Sequence, residues 1–310
     1  MLRALSCAVA SIRTKVDLLS LSRSLPLTEK GKFDSAFRRA RNAGISVELY
    51  KRRRQCKVPE VGGEVLYGTH PVLETLKSGR RTVSCVYSRD PVLMNPVIRE
   101  LCAQNNIPVR QVGARILDNL SEYQLHNGVC ADVSPLEIER FSLDAVPKRG
   151  AVAFLFLDGV LDSGNVGAIV RSTAFFGGSG VIWTSRGPQR LTPSMSKASS
   201  GALEHFPVFS VESFGELHRI LKPLCFSFVG TIDEESAMRK GGLTTTSLSE
   251  AEVSPKSVFI MGDEQKGVSQ ETLELCDLHV SISRSSSSAV ASLNVSVASG
   301  LLLHHWASRQ

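Results

Sequence analysis

The sequence contains no long apolar run. The longest, Ala151 to Leu157, is far below the roughly 20 residues that span a bilayer, so no transmembrane helix is expected. There is no CxxC pair and no Cys/His group at zinc spacing. The cysteines (Cys7, Cys56, Cys85, Cys102, Cys130, Cys225 and Cys276) are scattered and odd in number. That pattern fits thiols in a reducing compartment, not a disulfide framework, and no metal site is expected. No internal repeat is present. The glycines stand in the wrong order for a dinucleotide fold. In FFGGSGVIW, Gly177, Gly178 and Gly180 follow a helical pattern and precede a strand. A nucleotide fingerprint needs strand, then glycines, then helix, so these read as a helix stop.

The first sixteen residues lack any acid. They hold Arg3, Arg13 and Lys15 among Leu, Ala, Val, Ile and Ser, the composition of a mitochondrial presequence, with a plain disordered terminus as the alternative. The expected location is the mitochondrial matrix. The net charge of +6 is concentrated at this end: residues 1–60 carry +9 and the remainder −3. A basic segment of this kind, ending in KRRRQCK, suits RNA, an anionic surface or an import machinery; a solvated tail is the bland alternative.

Ordered structure is expected from Glu64. GEVLYGTHPVLETLKSG gives a helix after Pro71 with a stop at Gly79; VSCVYS, IPVRQV and GVCADVSPL read as strands, NPVIRELCAQNN and ARILDNLSEYQL as helices. Residues 136–150, with Pro147 and Gly150, read as a linker. From Ala151 strands and helices alternate, which predicts a mostly parallel sheet with helices on both faces. The expected divisions are a basic tail (1–62), a small α/β domain (63–135), the linker and a larger α/β domain (151–310).

Three stretches of the larger domain stand out. In LDGVLDSGNVGAIVR a buried strand ends at Asp158 and a turn opens a helix. Gly164, Gly167, Ala168, Arg171 and Phe175 fall near one helix face, a small-residue surface by which a polyanion could reach Arg171; a surface arginine beside turn glycines is the alternative. VFIMGDEQKGVS runs from a strand into an acidic turn, ordinary if it stood alone. SLNVSVASGLLLHHW alternates like a strand at first and ends like a buried helix; Asn294 and Ser296 suit a helix cap. HVSIS supplies the strand there, so the stretch is expected to turn into the last helix.

Taken in order, the three stretches resemble the motifs of the SpoU/TrmH family of RNA 2′-O-ribose methyltransferases. YGTHPVLETLKSG with HNGVCADVSPLE resembles the substrate-binding domain often attached in that family, which is similar to ribosomal protein L30e. The presequence-like start and the long loop at Arg284 look most like the mitochondrial large-subunit rRNA members. The resemblance implies a trefoil-knotted C-terminal α/β domain, S-adenosylmethionine as cofactor, a homodimer, and 2′-O-methylation of a ribose, that of a guanosine, in mitochondrial large-subunit rRNA. By the same resemblance Gly262, Ile282 and Leu293 contact the cofactor. Asn165 and Arg171 face the ribose and phosphate, and Glu264, Ser292 and Asn294 hold the site together. Asp263 stands where the family usually has a neutral polar residue, Gln265 replaces a frequent glycine, and Ser283 and Arg284 replace a frequent Pro-Met pair. The alternatives are a non-catalytic RNA-binding assembly factor of the same fold and a tRNA methyltransferase.

Overall fold

The computed structural model describes residues 58–285 and 292–310. The presequence-like start, the basic segment and part of the serine-rich loop lie outside the described residues. The chain forms two compact units. One comprises the described residues up to Thr69 with Val83–Val133, the other His70–Thr82 with Ser134–Gln310.

The smaller unit is built on a four-stranded sheet. Its elements are β1 (Glu64–Tyr67), β2 (Val83–Ser88), α2 (Pro96–Gln104), β3 (Val109–Gln111), α3 (Ala114–Leu120) and β4 (Val129–Val133); α1 (Thr69–Ser78), between β1 and β2 in the sequence, belongs from His70 onward to the other unit. The strand order is β1-β4-β2-β3, antiparallel except for β2 with β3. Its core includes Tyr67, Cys85, Tyr87, Leu117, Leu120 and Cys130. The chain enters through a fixed gate: both Asp132 carboxylate oxygens accept backbone N–H groups, from Gly62 and Gly63 at 3.0 Å each. A Cβ on Gly63 would lie 2.1 Å from the Val133 carbonyl oxygen, so only glycine permits that approach.

The larger unit carries an all-parallel sheet with the order β10-β12-β9-β11-β6-β7-β8-β5. Its elements are β5 (Glu139–Arg140), β6 (Val152–Asp158), α4 (Ser163–Phe175), β7 (Gly180–Trp183), α5 (Pro193–Ala198), β8 (Val208–Ser210), α6 (Phe214–Leu221), β9 (Ser227–Thr231), α7 (Glu234–Arg239), β10 (Thr246–Ser247), β11 (Lys256–Gly262), α8 (Gln270–Glu274), β12 (Leu278–Ser281) and α9 (Val295–Ala307). Side chains alternate across a strand, and here both faces are buried. Val152, Phe154 and Phe156 join one core with α6 and α8; Ala153, Leu155 and Leu157 join the other with α4 and α9. This is why β6 reads as an unbroken apolar run. No helix among the described residues is long and apolar enough to cross a membrane.

Four expectations need adjustment. The stretch read as a linker supplies β5, which pairs with β8, and buries Phe141 among the aromatic side chains Phe154 and Phe209. Residues 70–82, expected in the small domain, pack with the larger unit because Arg81 and Glu204 form an ion pair there with both side chains 0% exposed. The stretch Ser199 to Glu204, where the sequence suggests the start of a short helix, carries a 3-10 turn at Ala202–Glu204, and a further helix, α5, precedes it from Pro193, where Thr192 caps it. Finally, the small-residue face of α4 is not open. A Cβ on Gly167 would meet the Met195 carbonyl oxygen at 2.5 Å and the Ala198 Cβ at 2.6 Å, so α5 closes that face.

Candidate active site

β6 is the point at which the chain reverses direction across the sheet: β7 and β8 lie on one side, β11 and β9 on the other. Ligands of open α/β sheets bind at the carboxyl ends of strands at such a point. Here those ends are tied together. The Asp158 carbonyl, last in β6, accepts the Asp263 N–H at 3.1 Å, and its carboxylate accepts the Ser269 N–H at 2.8 Å. β11 ends at Gly262 because the following loop folds back over it. A Cβ there would stand 2.2 Å from Gly267 C and Val268 N.

Between Gly262 and Gly267 the chain makes a closed turn. The Asp263 carboxylate accepts the N–H groups of Gln265 and Lys266, each at 2.9 Å, and Gly267 takes φ +67°. These two backbone donors hold the Asp263 carboxyl below the ordinary carboxylate range. The turn therefore closes without the glycine frequent at position 265, and the carboxylate at 263 acts as a turn former.

Three side chains from three distant segments meet beside this turn. Asn165 lies in the first turn of α4, which Asp162 caps by accepting the Asn165 N–H at 2.8 Å. Its carboxamide nitrogen donates to Glu264 Oε1 at 2.5 Å. Asn294 caps α9, where its Oδ1 accepts the Ser296 N–H at 2.9 Å and the Ser296 hydroxyl at 2.6 Å. Its other end, Nδ2, donates to Asn165 Oδ1 at 3.0 Å and Glu264 Oε1 at 3.3 Å. Each carboxamide is thus oriented by its neighbours: that of Asn294 lies between the start of α9 and the Glu264 carboxylate, and that of Asn165 between Asn294 and Glu264.

The remaining expected residues are placed less centrally. Arg171 is six residues beyond Asn165 on α4, about 9 Å along the axis, and donates to Ser200 Oγ at 3.0 Å. It is one turn past Gly167 and so faces the end of α5. Ser292 and Leu293 are exposed just ahead of α9, and Ile282 follows β12. The Ser281 hydroxyl beside it is buried without a hydrogen-bond partner among the described residues. Asp162, legible as an N-cap in DSGN, went unmarked in the sequence; Asp158 was read only as a strand end, and its bridging role needs the fold; Ser296, read as a cap residue, locks the Asn294 amide.

A parallel sheet with a polar cluster at its switch point defines an α/β enzyme of the ligand-at-strand-ends type. Residues 153–304 match the model of the SpoU rRNA Methylase family, and residues 65–139 match that of RNA 2′-O ribose methyltransferase substrate binding. The chain is 31% identical to the Homo sapiens rRNA methyltransferase 1, mitochondrial, over 82% of this chain and 75% of that protein. It is 31% identical to the 23S rRNA (guanosine-2′-O-)-methyltransferase RlmB of Shewanella oneidensis, over 77% and 95% of the two chains. The SpoU methyltransferase AviRb of Streptomyces viridochromogenes, solved in complex with AdoMet, superposes with a TM-score of 0.63 over 79% of this chain and 89% of that one at 22% identity. The chain belongs to the SpoU rRNA methylase family and is an RNA methyltransferase.

Proposed function

We propose that this chain transfers a methyl group from S-adenosylmethionine to the ribose 2′-oxygen of a guanosine in mitochondrial large-subunit rRNA, in the matrix and as a homodimer. The observation that carries this reading is the junction of Asn165, Glu264 and Asn294 at the ends of β6 and β11. When bound, S-adenosylmethionine supplies an activated methyl group on a sulfonium.

The chain offers a fitting place for it. The buried Ser281 hydroxyl has no partner among the described residues; leaving such a group unpaired costs about 1–3 kcal/mol, so the exit of β12 is a place for a bound polar group. Backbone around Gly262, Ile282 and Leu293 would hold the cofactor. Asn165 and Glu264 would position the ribose, with Asn294 fixing both, and Ser292 would complete the approach to α9. Positioning of this kind supplies much of the rate in a displacement that needs an in-line geometry. A guanidinium does not serve as a base in proteins, so Arg171 is given another role. Its part is to grip a phosphate and stabilise charge as the 2′-hydroxyl ionises.

Residues 151–310 would form the catalytic domain and 63–135 the RNA-capturing one, with a knotted C-terminal end. In support of the knot, α9 is tied to segments on both sides of β11: Asn294 to Glu264 after it, Trp306 Nε1 to the Pro255 carbonyl before it. The dimer would form through α4 and α9. Phe175, Val297 and Leu301 are 82%, 51% and 41% exposed there, an apolar strip suited to a second copy.

The non-catalytic alternative rests on Asp263 and on the altered loop at Ser283 and Arg284; of these, Asp263 is accounted for by its turn. The deciding experiment incubates the full chain with radiolabelled S-adenosylmethionine and mitochondrial RNA, then maps 2′-O-methylated positions. Label on a guanosine of the large-subunit rRNA is expected. Label on tRNA alone, or none, overturns the proposal.

A further inference from the structure

The smaller unit contains a cleft of about 870 Å³, within the range of small-molecule sites. It opens between the β2–α2 loop and the α3–β4 loop, wholly inside that unit. Met94 and Ile98 form a buried apolar floor. Leu93 and Leu125 line it while 83% and 72% exposed. We propose that this cleft takes an unstacked base of single-stranded RNA, which rests on the reading of the chain as an RNA methyltransferase and deepens it.

Both walls are built to hold leucine side chains in water. On one, the Asp90 carboxylate accepts the N–H groups of Val92 and Leu93 at 2.9 and 3.3 Å, and Asn95 caps α2. On the other, Glu122, Tyr123 and Asn127 take φ of 51°, 61° and 51°, with Gly128 at 83°. Left-handed conformations outside glycine persist only where the surroundings over-determine them, and they cluster at ligand sites. Here the determinants are visible. The Ser121 hydroxyl donates to the Gln124 carbonyl at 3.0 Å, and the Gly128 N–H donates to His126 Nδ1 at 2.9 Å. Since Nδ1 accepts, a neutral His126 carries its proton on Nε2, which faces Asp118 Oδ1 at 3.3 Å. The loop is therefore braced around a tip that exposes Leu125.

Charge selects the kind of ligand. Residues 58–69 and 83–133 hold four Lys/Arg against seven Asp/Glu, a net of −3. A surface that bound duplex through its phosphates would need the opposite balance. Apolar walls with a polar rim instead suit the flat face of an unpaired base, which is how single-stranded RNA is held. Arg89 and Asn127 line the cleft, and among the described residues neither side chain has a hydrogen-bond or ion-pair partner. They offer one phosphate contact and one amide for a base edge.

The test uses the full chain and a short single-stranded RNA carrying 4-thiouridine. Crosslinks mapped by mass spectrometry should fall in residues 89–95 or 121–128. The double variant Leu93→Ser, Leu125→Ser should weaken binding of the same RNA by roughly tenfold with an unchanged salt slope, whereas Arg89→Gln should lower that slope by about one. Both leucines are exposed, and unchanged thermal unfolding of the variant would show that the unit still folds. Crosslinks confined to other residues, or unchanged affinity in the double variant, overturn the inference. If the wild type methylates RNA under those conditions, the methyltransferase reading stands without it. A wild type that neither binds nor methylates RNA overturns both.

Discussion

Asn294 donates a hydrogen bond to Asn165 across 129 residues of sequence, and the same amide caps the helix that carries it. One side chain thus has two separable tasks. Its oxygen serves the backbone of α9, and its nitrogen serves the candidate site.

Substituting Asn294 by Asp separates those tasks. The carboxylate still accepts the Ser296 N–H and suits a helix N-terminus, so thermal stability should change little. It offers no donor to Asn165 and sets a second carboxylate against Glu264, so methyl transfer should fall at least tenfold. Asn294→Ala should lose about 1 kcal/mol of stability as well. Unfolding curves beside single-turnover methylation read both effects, and unchanged turnover in Asn294→Asp would leave Asn294 as a cap only.

The Asp263 turn gives a pH dependence of known sign. Its carboxyl is depressed by the Lys266 and Gln265 N–H groups, so its contribution is present above the unfolded value near 4 and is lost as pH falls through the folded one. Asp263→Asn keeps an oxygen acceptor without the charge. The stability difference between the variant and wild type should therefore shrink from pH 7 to pH 3. Methyl transfer at pH 7 should stay within a few fold of wild type. A difference that grows on acidification contradicts this account.

The Arg81–Glu204 pair should be costly to break from one side. Arg81 Nε donates to Glu204 Oε2 at 2.8 Å, the Ser196 hydroxyl donates to Oε1 at 2.7 Å, and both charged side chains are fully buried. Arg81→Ala strands a carboxylate in the interior, which costs about 3–5 kcal/mol. Replacing both with apolar residues, Arg81→Met with Glu204→Leu, should recover much of that loss. Urea unfolding of the single and double variants measures the difference.

Thiol reactivity should divide the cysteines. Burial pushes the Cys276 thiol up to about 12, with Asp277 adding to the effect, whereas Cys225 is exposed. Iodoacetamide at pH 8 should label Cys225 and spare Cys276, because the thiolate is the nucleophile. Peptide mapping after brief labelling decides it; rapid modification of Cys276 in folded protein would show that its loop opens.

Much of this architecture was legible because local and global signals agree. The apolar run at Val152–Asp158 has two buried faces, and Asn294 starts the last helix as its neighbours suggested. The motif order brought out the family, and Asn165, Glu264 and Asn294 do meet. What stayed hidden depends on contacts between distant segments. β5 is two residues long and gains its identity only by pairing with β8. The glycines of α4 suggested an open surface, but spacing alone does not reveal whether a small-residue face meets a ligand or another helix. Arg81 looks like any surface arginine until Glu204 is placed beside it.

The position of Asn294 also sets a timetable. Asn165 follows β6 and Glu264 follows β11, while Asn294 is delivered by α9, whose far end is fastened through Trp306 to Pro255. A nascent polypeptide still lacking α9 holds two of the three linked side chains and cannot orient them. On the proposed function, copies clipped ahead of α9 should therefore carry an incomplete site.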